Sequence, residues 1–265
     1  MKPEKSGIKS HRALELLDIL RRLGGSARTS HLAAALDVSE ETVRRTVKKL
    51  GKEGLVTRVH GGVFLAGDDT RGGLTTRLGQ NRSEKREMAR AVAGIVPDGA
   101  ALFMDVSSTT TYVAEALGSR SGLQIITNSL VVAETLAGRN GNKVFLAGGE
   151  VAADLAGCFG SAVQEFVCRF HADFAILGAD AVDPQRGFLL QDFSEAQLAR
   201  CFVSHARQRI MVADRTKMGR KASVLLSAPD EIDIFVTDQP LDPVATQAMN
   251  VWGVEVVLPQ LSRDR

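Results

Sequence analysis

The sequence has three cysteines in 265 residues, and no two of them form a C-x-x-C. That is too few for a disulfide framework. Cys168 with His171, and Cys201 with His205 at helical i, i+4 spacing, can be drawn as metal ligands, but these cysteines and Cys158 all have apolar neighbours. All three are read as small buried hydrophobes, and neither metal nor cofactor is expected. No apolar stretch approaches the roughly 20 residues that cross a bilayer. No apolar core follows Met1-Lys2-Pro3-Glu4-Lys5 either, so a signal peptide and a membrane partner are not expected, and the protein is placed in the cytoplasm. Net charge is nearly absent too, at +2.

What is present is the composition of an ordinary globular protein, 44% hydrophobic and 24% charged, long enough for one or two domains. The small net charge conceals a division. Residues 1–66 hold 13 Lys and Arg against 7 Asp and Glu, whereas residues 67–265 hold 20 against 24. A basic head on a mildly acidic body points to a nucleic-acid partner for the head.

In the head, Ala13, Leu16, Leu17, Leu20 and Leu23 recur at the spacing of one buried helical face, and Gly24-Gly25 ends that helix. A short second helix fits 29–36, with Leu32, Ala33 and Leu36 inward and Arg28 and Thr29 at its start. After the turn at Asp37-Val38, "VSEETVRRTVKKL" predicts a third helix, with Ser39 as N-cap and Glu40 and Glu41 in its first turn. On a helical wheel Val43, Val47 and Leu50 share one side. Glu41, Arg45, Lys48 and Lys52 lie opposite, flanked by Arg44 and Lys49. A short helix, a tight turn and a capped helix with a cationic outer face suit a recognition helix in the DNA major groove. Behind it, "GLVTRVHGGVF" predicts two strands around 60–62, a wing carrying Arg58 and His60 toward the duplex backbone or minor groove.

Residues 67–82 have little periodicity and are assigned as a linker. From 83 to 265, strands are predicted over 100–104, 123–127, 143–146, 174–177, 209–212, 232–236 and 255–258. Helices are predicted over 84–95, 109–117, 130–137, 162–170, 194–206 and 245–250. Such alternation implies a mostly parallel sheet covered on both faces, with ligands at loops leaving the carboxyl ends of strands. Those loops hold Asp105, Ser107, Ser108, Thr109 and Thr110 in "DVSSTTT", Asn128 in "TNS", and Gly148 and Gly149 in "LAGG". They also hold Asp180 and Asp183 in "GADAVD", and Lys217 in "ADRTKMGR". The hydroxyl run sits where a strand yields to a helix, so hydroxyls, N–H groups and the helix dipole converge on an anion. A serine nucleophile would need a base, but His171 and His205 fall within predicted helices. Lys85, near the start of the first body helix, and Lys217 are candidate cations.

"HLAAALDVSEETVRRTVKKLGKEGLVTRVHGG" resembles the winged helix-turn-helix of DeoR-type transcriptional regulators, matching at Thr42, Arg44, Arg45, Arg58, His60, Gly61 and Gly62, with Thr46 where the family has aspartate. The body motifs, "EK" at 84–85 included, resemble in the same order the DeoR sensor domain, with Ser107 where the family often has glycine. The resemblance spans roughly 11–238. It implies double-stranded operator DNA and a phosphorylated sugar effector as partners, and operator symmetry adds a homodimer or homotetramer. The sensor domain is in turn similar to ribose-5-phosphate isomerase, which supplies an enzyme alternative built on Asp180, Asp183 and Glu195. That enzyme has a lysine soon after the second aspartate. Residues 184–194, "PQRGFLLQDFS", have Arg186 and no lysine, so a pocket that binds without turnover is expected, with no catalytic residues. The expected architecture is an N-terminal winged helix-turn-helix joined to a mostly parallel α/β sensor domain.

Overall fold

The computed structural model describes residues 11–22, 26–52, 55–59, 62–65 and 73–259. The chain forms two compact units, residues 1–79 and 80–265. The first contains α1 (His11–Arg22), β1 (Ser26–Arg28), α2 (Thr29–Ala35), α3 (Glu40–Lys52), β2 (Val56–Val59) and β3 (Gly62–Leu65). Its core is the apolar stripe read from the sequence: Ala13, Leu16, Leu17 and Leu20 of α1 meet Leu32 and Ala33 of α2 and Val43, Val47 and Leu50 of α3. The wing has three antiparallel strands in the order β1-β3-β2. The sequence suggested only two, because three residues at 26–28 are too few to display a period. A further helix, α4 (Leu74–Leu78), lies within the segment assigned as linker.

The second unit runs α5 (Arg82–Ile95), β4 (Ala101–Met104), α6 (Ser108–Leu117), β5 (Gln124–Thr127), α7 (Leu130–Leu136) and β6 (Lys143–Leu146). The hairpin β7 (Glu150–Ala152) and β8 (Gly157–Phe159) follows, then α8 (Ser161–Val167) and β9 (Ala172–Gly178). Beyond these come β10 (Ala181–Asp183), β11 (Gly187–Leu190), α9 (Phe193–Ser204), β12 (Ala206–Val212), β13 (Val224–Leu225), β14 (Ile234–Val236), α10 (Pro243–Trp252) and β15 (Glu255–Val257). All seven predicted strands join one parallel sheet, ordered β15-β14-β12-β9-β4-β5-β6. Phe103, Ala175, Leu177, Met211 and Phe235 pack with Phe202 of α9 and Val163 of α8 in one core. The alternate residues Leu102, Met104, Ile176 and Ile210 are equally buried, so both faces are covered.

The chain lays down β4, β5 and β6 outward in one direction, then returns to place β9 against the other side of β4 and continues through β12, β14 and β15. The order therefore reverses between β4 and β9. That switch opens a crevice beyond the carboxyl ends of these two strands, the position where open parallel sheets take ligands.

Candidate functional site

On α3 the two faces separate as the wheel predicts. Val43, Val47 and Leu50 are buried, while Arg44, Arg45, Lys48 and Lys49 are exposed. Ser39 Oγ accepts the Thr42 N–H at 3.3 Å and lies 2.9 Å from the Thr42 hydroxyl, so both side chains serve the cap. Arg44 pairs with Glu40 at 3.2 Å and Glu41 at 3.6 Å, exposed contacts worth a few tenths of a kcal/mol at most. Arg45, Lys48 and Lys49 have no ion-pair partner among the described residues. Arg28 is exposed and Thr29 half-buried at the start of α2, and Arg58 lies on β2 opposite Val63 of β3. His60 lies outside the described residues.

In the body, the hydroxyl run divides into two jobs. Ser107 is the N-cap of α6: its Oγ accepts the Thr110 N–H at 3.0 Å, and Thr110 Oγ1 accepts the Ser107 N–H at 3.1 Å. Thr110 Oγ1 also lies 3.1 Å from the carbonyls of Asp105 and Ser107, and Thr111 Oγ1 donates to Ser107 O at 2.9 Å. Thr110, expected among the effector contacts, is thus fully buried inside the cap. Thr110→Val should cost about 1 kcal/mol of unfolding free energy in urea titrations. Unchanged stability with a lost effector response would return its hydroxyl to the ligand.

Ser108 does the other job. Its Oγ accepts the Lys85 ammonium at 3.0 Å, and both side chains are buried. A buried ammonium beside the N-terminus of a ten-residue helix, with Thr109 next in line, presents positive charge to one point. One turn before Lys85, Asn81 Nδ2 donates to Thr216 Oγ1 at 3.4 Å, which brings the 214–217 turn and Lys217 to the start of α5. In that turn burial of Asp214 works to raise its pKa, but the Thr216 hydroxyl and the Lys217 ammonium hold it below the usual carboxylate range. Glu84 is likewise lowered, chiefly by its backbone hydrogen bond and then by the Ser83 hydroxyl. Because the folded pKa of Asp214 is depressed, its stabilisation is present above the ordinary carboxylate range and lost as pH falls through the folded pKa. Between about pH 6 and pH 3, urea midpoints should therefore fall less for Asp214→Asn than for the parent.

Asp105 spans the switch point: its Oδ2 accepts the Gly178 N–H at 2.7 Å, tying the end of β4 to the end of β9. A Cβ on Gly178 would lie 2.6 Å from Ser107 Oγ, so only glycine allows this approach. Asp105, Asn128 and Glu195 line one cavity with the apolar Val106, Phe159, Leu190, Leu198, Ala199 and Phe202. Asn128 is buried, donates from Nδ2 to Cys158 O at 3.0 Å, and leaves its Oδ1 without a hydrogen-bond partner. The cavity is narrow, about 10 Å³, on the order of a single water.

Both regions of the chain match models of one family: the DeoR-like helix-turn-helix domain over residues 12–67 and the DeoR C-terminal sensor domain over residues 80–239. The chain belongs to the DeoR family. It is 33% identical to the HTH-type transcriptional repressor CsqR of Escherichia coli K12 over 97% of both chains. To the glycerol-3-phosphate regulon repressor of the same organism it is 34% identical, over 88% of this chain and 93% of that one. A ribose-5-phosphate isomerase from Methanocaldococcus jannaschii is similar at 18% identity and a TM-score of 0.40, over 54% of this chain and 56% of that one.

Several residues in this DeoR-family chain sit differently from the sequence expectation. Asp183 ends β10, and its Oδ1 accepts the N–H groups of Gln185 and Arg186 at 2.8 and 3.2 Å, so it shapes the β10–β11 turn and does not line the cavity. Asp180 Oδ2 accepts the Gln191 N–H at 3.0 Å, bracing the base of the same hairpin. Gly149 allows close packing, since a Cβ there would lie 2.9 Å from Val163 Cγ2, whereas Gly148 faces open space. Thr46, at the family's aspartate, turns its hydroxyl back to the Thr42 carbonyl at 2.9 Å. Only Cys158 is a buried cysteine; Cys168 is exposed, Cys201 half-buried, and the two are joined as a disulfide. That pairing follows from α8 packing on α9, which spacing along the chain does not reveal. Phe159, Leu190 and Phe202 were not anticipated in the cavity. An apolar side chain on a strand or helix carries no sequence signal that separates a pocket wall from core.

Proposed function

We propose that this chain is a transcriptional repressor of carbohydrate metabolism. In this scheme α3 reads operator DNA, and a phosphorylated sugar or polyol bound at the β4–β9 switch point alters its affinity. The observation that carries the effector assignment is the buried Lys85–Ser108 pair at the N-terminus of α6. It offers a charge-assisted site for a phosphate. Asp105, Asn128 and Glu195, one loop away, offer acceptors and donors for hydroxyl groups. The glycerol-3-phosphate relative makes small phosphorylated polyols the first class to test. The effector acts as a switch if it binds more tightly to a conformation whose operator affinity differs. Among the described residues no helix is long and apolar enough to cross a membrane, in keeping with work beside DNA in the cytoplasm. A symmetric dimer or tetramer would match a palindromic operator.

The protein is expected to bind its effector without turning it over. The lysine that the isomerase chemistry requires is missing after Asp183, and Arg186 sits at the β10–β11 turn. The test has two arms. An operator is first selected from a random duplex library, and its binding is then titrated with sugars, polyols and their phosphates. Phosphates are expected to shift affinity by about 5–150-fold, and their unphosphorylated parents are expected to leave it unchanged. Equal action by a free sugar would overturn the phosphate site. Aldose–ketose turnover on the same phosphates, at about 1 per second or faster, would overturn the repressor-only assignment.

A further inference from the structure

At the amino ends of the central strands, opposite the effector loops, two Cys–His pairs are placed alike. Cys168 closes α8 and His171 immediately precedes β9; Cys201 lies in the last turn of α9 and His205 immediately precedes β12. The register pairs Ala172 with Ala206, and the Ala172 N–H donates to His205 O at 3.0 Å, so the two histidines are brought side by side. Their ring centroids are 5.3 Å apart. The sulfurs of Cys168 and Cys201 and a ring nitrogen of His205 all lie within 4.8 Å of one another. His205 Nδ1 is 2.9 Å from the Cys201 carbonyl, an oxygen that can only accept. The tautomer that donates Nδ1–H to this carbonyl, with Ser204 Oγ also 3.0 Å from Nδ1, leaves the lone pair on Nε2, the arrangement that orients a metal-binding imidazole.

We propose that in the reduced protein Cys168, Cys201 and His205 bind a zinc-type cation. Two thiolates and an imidazole are donors suited to tetrahedral zinc, and too soft for magnesium or calcium. A dithiol reductant takes up the Cys168–Cys201 disulfide as its own, leaving two thiols, and zinc then replaces their two protons. A chromosome-binding protein works in a compartment that keeps thiols reduced, which favours the thiolate form over the disulfide. The site lies at the amino ends of β9 and β12, while the effector loops leave the carboxyl ends, so it does not depend on the effector assignment.

Full-length protein, reduced with a phosphine and stripped by a chelator, would be titrated with cobalt(II). About one equivalent should produce the tetrahedral visible bands and the thiolate-to-cobalt charge-transfer band of a mixed sulfur–nitrogen site, and zinc should displace both. Cys168→Ser, at an exposed position that folding tolerates, and Cys201→Ser should weaken binding by at least about 100-fold, and His205→Ala by at least about 10-fold. Cys158→Ala should keep the spectrum. Natively folded protein with two alkylatable thiols at 168 and 201 but only the spectrum of hydrated cobalt would overturn the proposal. So would a charge-transfer band that survives in both serine variants, or a disulfide that persists under the same reductant.

Discussion

Replacing Arg45 with alanine is expected to weaken binding to the selected operator by about 1–3 kcal/mol, roughly 5- to 150-fold, while binding to unrelated duplex changes much less. Arg44 and Arg45 are adjacent in sequence but not equivalent in the structure. Arg44 is engaged by Glu40 and Glu41, whereas Arg45 projects from the exposed side of α3 with no ion pair among the described residues. A free guanidinium can bind the O6 and N7 atoms of a guanine through two hydrogen bonds, which a tethered one reaches only by breaking its pairs. Lys48→Ala is the contrasting case. A point charge toward phosphate should weaken all sequences alike and reduce the slope of log affinity against log salt by about 1. Gel-shift or fluorescence titrations over a salt series read both quantities. Unaltered affinity for both variants at low salt would show that α3 is not the recognition helix.

Lys85→Met should leave ligand-free operator binding near that of the parent and remove the response to a phosphorylated effector, collapsing a shift of about 5–150-fold to none. Lys85 is only 3% exposed, so its ammonium carries a desolvation cost that the Ser108 hydroxyl offsets in part. Methionine retains the apolar stem without the charge, and a cooperative urea transition with a native far-UV spectrum checks that the variant is folded. This separates loss of the site from loss of the fold. Lys217→Ala should weaken the response by a smaller factor, because Lys217 is half-buried and faces the buried Asp214 in the same turn. A normal response from Lys85→Met would remove the phosphate from the α6 N-terminus.

The apolar spacing along each segment determined the elements. The three helices of the head and the helices that cover the sheet were legible because burial repeats at 3.6 residues along one segment, and the parallel strands because they are short apolar runs between turn signals, such as β4, β5 and β14. The strand–cap–helix arrangement of "DVSSTTT" was legible for a similar reason: the end of β4, the Ser107 cap and the start of α6 are contiguous. The strand order was not. That β9 returns to β4, so that Asp105 meets Gly178 across 73 residues, depends on packing among segments that share no local signal. The same holds for the division of labour among hydroxyls, in which Thr110 closes the helix cap while Ser108 receives Lys85 from another helix. Asp183 was expected at the ligand and instead holds a turn, because three-residue strands such as β10 arise from hairpin pairing and not from periodicity. Cys168 and Cys201, 33 residues apart, meet because α8 and α9 pack together above β9 and β12. Side-chain type and spacing decided what each segment could become. Which groups share a site was decided only when the sheet brought the ends of distant strands together.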